Sequence, residues 1–291
     1  MGPVNLALYI STILIWGSTW LAITYQLGEV DPIISVIYRM ALGSVLLFIW
    51  CWLKKIPLLL STQNHRYLFA QGCLLFGFNY WTIYWSEVYL PSGIVAVIFS
   101  LLVFFNIING RLFLNYPVTL PTVIGGIVGL TGISMLFYPE IANFSAADGA
   151  LIGFGLAFIS VVVASLGNIV ATRNGNTGIS VWAINAWAML YGSLVLTLIA
   201  LATGAEFSYG STLEYTLSLI YLSVFGTILA FGAYLKLLIN IGPSRAGYSS
   251  LIIPFVAIIL STVFENYQLT VLAAAGFALV ALGNYLILAR R

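Results

Sequence analysis

"NYPVTLPTVIGGIVGLTG" (Asn115–Gly132) returns later in the chain as "NYQLTVLAAAGFALVALG" (Asn266–Gly283), with Asn, Tyr, Thr and two glycines at identical spacing. Just upstream, "LPSGIVAVIFSLL" (Leu90–Leu102) pairs with "GPSRAGYSSLIIP" (Gly242–Pro254) once one residue of slippage is allowed. The chain is therefore a duplication, and each copy ends in a long apolar run.

What surrounds the two copies fixes their solvent. Of 291 residues, 62% are hydrophobic and 6% charged, and the mean hydropathy is +1.07. A water-soluble domain carries roughly a quarter charged residues, so lipid must solvate most of this surface. An apolar helix of about 20 residues crosses the hydrocarbon. The sequence predicts ten such segments: Val4–Tyr25, Ile33–Trp52, Tyr67–Tyr89, Ser92–Phe113, Val118–Tyr138, Ala150–Thr172, Ser180–Thr203, Leu213–Leu235, Ser244–Phe264 and Leu269–Ala289. No alternation of polar and apolar residues supports a barrel. The first segment continues to spanning length and lacks a basic leader, so it reads as a span and not as a cleaved signal.

Basic residues are retained on the cytoplasmic side. Lys54, Lys55, Arg66, Arg111, Arg173, Lys236, Arg245, Arg290 and Arg291, nine of the ten, fall on one side if both termini are cytoplasmic. The acids Glu29, Asp31, Glu140, Asp148, Glu206, Glu214 and Glu265 fall in or beside loops on the other. With five spans per copy, the second copy enters the membrane upside down. The expected fold is an all-α integral membrane protein of ten transmembrane helices in two inverted five-helix repeats, residues 1–140 and 141–291. Inverted repeats build transporters, with the substrate site near the midplane between the halves.

In order along the chain, "WGSTW" (Trp16–Trp20), Pro32 and Arg39, "YLPSGIVAVIFS", "FLNYPVT" and "FENYQLT" resemble the EamA-like family of the drug/metabolite transporter superfamily. The resemblance spans essentially the whole chain. It departs where the family often has Glu, three residues before the Thr that opens the fifth and tenth segments; here stand Tyr116 and Tyr267. The resemblance implies export of small metabolites, amino acids among them, or of drugs, across a bacterial inner membrane.

Candidate site residues follow from the cost of polar groups in lipid. Arg39 lies about 10 Å into its helix at 1.5 Å per residue, where a cation is costly and marks function by default. It reads either as half of a structural salt bridge with Glu87 or Asp31, or as a clamp for a substrate carboxylate. Tyr80, Tyr84 and Glu87 share a helical stripe, with Trp81 on the adjacent one; they read as a cavity wall or as an interfacial aromatic belt. Trp16 and Trp20, at mid-span, suit cavity lining or core packing equally. Trp182, Asn185, Tyr234, Tyr248 and Ser249 are second-half candidates. The small residues of the repeated glycine motif read as helix-packing scaffold. Cys51 and Cys73 read as core, and His65 as solvated in an inner loop.

No His cluster, Cys pair, nucleophile elbow or P-loop occurs, which argues against an enzyme, a metal or any cofactor. The expected partners are a small-molecule substrate, the bilayer and protons as a coupling ion, with no nucleic acid; the chain would act as monomer or homodimer. Export of small amphipathic metabolites, amino acids foremost, stands beside two alternatives: a broad cationic drug efflux pump and a membrane-embedded lipid-handling protein.

Overall fold

The computed structural model describes residues 2–115, 118, 120–136, 138, 149–241 and 249–288, which are helical with short connections and contain no strand. The helices are α1 (Pro3–Thr24), α2 (Pro32–Leu53), α3 (residues 62–87), α4 (Ser92–Leu114), α5 (Leu120–Leu136), α6 (Ala150–Gly175), α7 (Val181–Thr203), α8 (residues 213–241), α9 (Ser249–Phe264) and α10 (Val271–Leu288). Among the described residues, six stretches are long and apolar enough to cross a membrane: α1, α2, α4, α6, α7 and Leu213–Tyr234 of α8. Shorter apolar stretches occupy α5 (Val123–Met135), α9 (Ile252–Phe264) and α10 (Val271–Leu286). The expectation of ten spanning helices thus meets six stretches of spanning length and three shorter apolar ones among the described residues. One reason is that α3 opens on the polar stretch Thr62–Arg66, well before its apolar part.

Helix starts follow local chemistry. Asp31 accepts from the Ile33 amide at 2.9 Å ahead of Pro32, so this acid serves as a cap. Ser61 and Thr212 cap α3 and α8 in the same way. Asn115 and Asn266, the paired asparagines of the repeated motif, both adopt left-handed backbone, at φ 56° and 57°. Asn tolerates that conformation better than most residues and ends a helix there.

α3 and α8 are each interrupted by a π-helical stretch, Gly72–Phe78 and Tyr221–Leu229. Such bulges cluster at functional sites. Each holds a glycine, Gly77 or Gly226, directly after a phenylalanine. α4 has a break at Ser100–Leu101.

Packing is pairwise. α2 lies against α7, where Ser44 Oγ donates to the Ala186 carbonyl at 2.8 Å. α1 packs on α8 and α9, α6 packs on α3 and α4, and α5 packs on α10. At the α5–α10 seam, a Cβ on Gly132 would overlap the Gly276 carbonyl, and one on Gly283 would overlap the Gly125 carbonyl. The four glycines that match in the repeated motif are therefore the ones that let these two backbones touch. In lipid, where apolar burial drives little association, such close approach is a main source of helix affinity.

Gly132→Ala should destabilise the protein by about 1–3 kcal/mol, the usual cost of overpacking. Gly155→Ala, where a Cβ meets nothing within 4 Å, should leave the thermal midpoint of detergent-purified protein unchanged or raised. Equal midpoints for the two variants would refute tight glycine packing at this seam.

Candidate functional site

Arg39, on α2, is 2% exposed. Its Nη1 donates to Tyr84 Oη of α3 at 3.3 Å, and its Nη2 to Thr227 Oγ1 of α8 at 3.5 Å. The guanidinium carbon lies 4.5 Å from the centre of the Tyr80 ring, a cation–π arrangement. Tyr84 donates onward to Gln26 Oε1 at 2.7 Å. Ser223 Oγ donates to the Arg39 carbonyl at 3.2 Å. The cation thus meets a ring face and two hydroxyls, and its Nε has no hydrogen-bond partner among the described residues.

The π-helical stretch of α8 shapes this arrangement. Thr227 Oγ1 donates five residues back, to the Leu222 carbonyl at 2.8 Å. A Cβ on Gly226 would stand 2.7 Å from Thr19 Cγ2 and 3.6 Å from Arg39 Nη2. The glycine is what lets α1 and the guanidinium close on α8. The carbonyl of Gly226 accepts from Trp16 Nε1 at 3.2 Å, and the Trp16 ring packs on Phe231 and Tyr234, both with centroids 5.2 Å away.

Glu87, one turn beyond Tyr84, is 6% exposed, and neither carboxylate oxygen has a hydrogen-bond partner among the described residues. It does not hydrogen-bond to Arg39. Glu265, just past α9, accepts from the amide and the hydroxyl of Ser92 and so caps α4. That end of the bundle is closed by Glu29 accepting from the Ser211 amide at 3.0 Å, Tyr38 donating to the Ser208 carbonyl at 3.0 Å, and Ser35 bonded to Tyr215 at 3.0 Å.

Of the residues singled out from sequence, the structure gathers Trp16, Arg39, Tyr80, Tyr84 and Tyr234 into one connected cluster. Trp20, 8% exposed, packs on Phe99. Trp81 is half-buried with its indole N–H unpartnered. Trp182 stands elsewhere, against Trp50 and Gly232. Asn185 and Ser249 are buried on α7 and α9, and Tyr248 lies outside the described residues. Gln26, Thr227 and Ser223 belong to the site region but carried no sequence signal, and nothing in the sequence pointed to the pairing of Ser92 with Glu265. His65 is not simply solvated: it is half-buried, its Nδ1 bonded to Tyr191 Oη at 2.8 Å and its ring edge-on to Trp187. Both cysteines are free, Cys51 buried and Cys73 half-buried.

A multi-pass helical membrane protein with a buried, neutral-partnered cation where α2, α3 and α8 meet is the class this geometry defines. The chain belongs to the EamA-like transporter family, whose model matches it twice, over residues 5–138 and 151–289. It is 27% identical over 285 residues to an "uncharacterized transporter" of Archaeoglobus fulgidus, covering 96% of this chain and 97% of that one. It is 29% identical over 295 residues to the "uncharacterized inner membrane transporter YedA" of Escherichia coli K12, covering 96% of this chain and 90% of that one. A solved structure at 15% identity covers 98% of this chain and 96% of its own, with a TM-score of 0.69; that likeness is one of fold.

Tyr84→Phe should strand Gln26 Oε1 and Arg39 Nη1 and lower stability by about 1–3 kcal/mol, the cost of unsatisfied buried partners. Tyr80→Phe keeps the ring face and should cost much less. Thermal unfolding of the two variants side by side checks the order.

Proposed function

We propose that the protein is a secondary active transporter that exports small amphipathic metabolites, amino acids foremost, by alternating access between two inverted five-helix repeats. Support for the repeats comes from the double family match, the reciprocal glycine seam and the paired left-handed asparagines. The π-helical stretches add to it, since Phe76–Gly77 and Phe225–Gly226 occupy equivalent places in α3 and α8. On this reading both termini are cytoplasmic, and the Gln26–Glu87 end of the bundle faces outward.

The observation that carries the reading is Arg39. It is buried in a membrane helix, at a contact between the first half and α8 of the second, with only neutral hydrogen-bond partners. A guanidinium binds carboxylates through two parallel N–H donors, and sites of this kind sit between repeats near the midplane. A substrate carboxylate would take the unpartnered Nε and one Nη, while Tyr80, Tyr84 and Trp16 supply apolar walls. Glu87 supports a second reading: a carboxylate among aromatics also suits a cationic drug, bound without help from Arg39.

Thermal shift of purified protein separates the two, because a ligand stabilises the state it binds. Apolar and aromatic amino acids should raise the midpoint, their amides should not, and Arg39→Gln should abolish the response. Quaternary ammoniums that stabilise wild type and Arg39→Gln equally would favour the efflux pump. In proteoliposomes, Arg39→Gln should slow uptake of the stabilising amino acid at least about tenfold, or roughly 1.4 kcal/mol.

Orientation is tested by single cysteines at the exposed positions Lys55 and Glu206, in a background lacking Cys51 and Cys73. The first should react only from the cytoplasm and the second only from outside; same-side labelling would rule out the inverted arrangement.

A further inference from the structure

The end of α2 is closed by a residue poorly suited to the backbone it adopts. The Lys55 amide donates to the Trp52 carbonyl at 3.1 Å, and the Ile56 amide to the Cys51 carbonyl at 2.8 Å. This pair of bonds is a Schellman closure, which places one residue in left-handed backbone where glycine is the usual choice. Among the described residues three non-glycines adopt positive φ. Two are the asparagines of the repeated motif, which tolerate it; the third is Lys55, at φ 54°. Backbone strain of this kind persists where the side chain has a task. Complementing the helix dipole is not that task, because Lys54 already stands at the C-cap and a cation there suffices.

The surroundings of Lys55 show what the task is. Lys55 lines an open groove of about 530 Å³ together with Cys51, Trp52, Leu53, Ile56 and Leu58. Its other walls are therefore apolar. Lys54, beside it in the chain, holds its Nζ 5.0 Å from the centre of the Trp50 ring. The acids nearest in the chain stand away from this end: Asp31 caps the opposite end of α2, and Glu87 closes the opposite end of α3. The connection that follows is itself apolar, "IPLLL" (Ile56–Leu60). Within it Leu59 is 98% exposed, while Trp52 and Leu53 of the groove are 74% and 61% exposed. Bare side chains of this size belong in hydrocarbon, with tryptophan and lysine at its boundary. The groove thus opens at headgroup level. Trp187 Nε1 donates to the Leu58 carbonyl at 3.1 Å and ties this wall to α7.

We propose that the groove binds an anionic phospholipid, its phosphate paired with Lys55 and Lys54 and an acyl chain laid along Trp52, Leu53 and Leu58. Adjacent ammoniums attract an anionic headgroup, and the apolar walls fit the chain it carries; a free phosphate would use only the lysines. The bound lipid braces the end of α2, the helix that carries Arg39, against α7. The site stands whichever leaflet it faces. The orientation proposed above puts it in the cytoplasmic leaflet, whose surface potential is negative.

The test titrates the purified full chain, in nonionic detergent and without substrate, with phosphatidylglycerol or phosphatidylcholine. Thermal midpoint and native mass spectrometry of bound lipid are the readouts. Phosphatidylglycerol should raise the wild-type midpoint more than phosphatidylcholine does, since a ligand stabilises the state it binds. Lys55→Gly should separate the two properties of this residue. Its lipid-free midpoint should be unchanged or higher, because glycine suits the backbone there, yet its affinity for phosphatidylglycerol should fall about fivefold. Lys55→Gln should lose the same affinity, whereas Arg111→Gln, at an exposed cation on α4, should lose none. A wild type that does not distinguish the two lipids, or an equal loss in Arg111→Gln, would overturn the site. Stabilisation by inorganic phosphate equal to that by phosphatidylglycerol would overturn the lipid assignment.

Discussion

One constraint organises the molecule: α2 carries a guanidinium into the interior of a membrane bundle, and no carboxylate is hydrogen-bonded to it there. Placing a cation in hydrocarbon costs at least about 2.5–3.5 kcal/mol by insertion scales. The protein offsets this with dispersed neutral polarity: the Tyr80 ring face, the Tyr84 hydroxyl and Thr227. Each partner must itself be held in place. Tyr84 is fixed by Gln26, from the turn after α1. Thr227 is fixed by its own helix, which unwinds to a π-helical pitch so that the side chain reaches Leu222 and Arg39 together. Gly226 clears the volume that α1 and the guanidinium then occupy. The positions of α1, α3 and α8 around α2 thus answer the needs of one side chain.

The same elements explain how such a site could open. Closure at the Gln26 end rests on a few polar contacts between partly exposed groups, Glu29 with Ser211 and Tyr38 with Ser208 among them. Contacts of this kind contribute about 0.5–1.5 kcal/mol each. Losing two or three is an affordable step for a conformational equilibrium of a few kcal/mol. The glycine seam of α5 and α10 is of another kind, because it is backbone against backbone and does not give way gradually. On the proposed reading, alternating access would draw on these weaker polar contacts and leave the backbone-to-backbone seam of α5 and α10 intact.

What the sequence disclosed and what it hid follow from the range of each signal. The matched asparagines and glycines were legible because each performs a local backbone task, a left-handed turn or a close approach, that few other residues can perform. Arg39 was legible because a lone cation in an apolar run must find a partner or a task, although the salt bridge and the clamp stayed equally open from sequence. Tyr80 and Tyr84 followed from helical spacing. Gln26 and Thr227 were not legible, since short polar residues in apolar runs usually just bond their own helix, as Thr12 and Thr82 do here. The π-helical stretches have no composition that separates them from α-helix. Glu265 looked like a loop acid because its partner, Ser92, is 173 residues away. His65 looked solvated for the same reason, with Tyr191 on α7 out of sight in the chain.

The two halves, read as a duplication, share a scaffold and divide the chemistry. The offset that aligns Phe76–Gly77 with Phe225–Gly226 also aligns Gly43–Ser44 with Gly192–Ser193, and it sets Ala188 opposite Arg39. Ala188 is fully buried, and a Cβ on Gly72 would overlap its carbonyl. Where the first half spends its volume on a guanidinium, the second spends it on tight backbone packing between α7 and α3. A second cation at Ala188 would have to displace that packing and would bring two like charges into one dry bundle, a repulsion that low dielectric makes severe. On the proposed reading, a substrate carboxylate then meets one buried guanidinium among the described residues, that of Arg39.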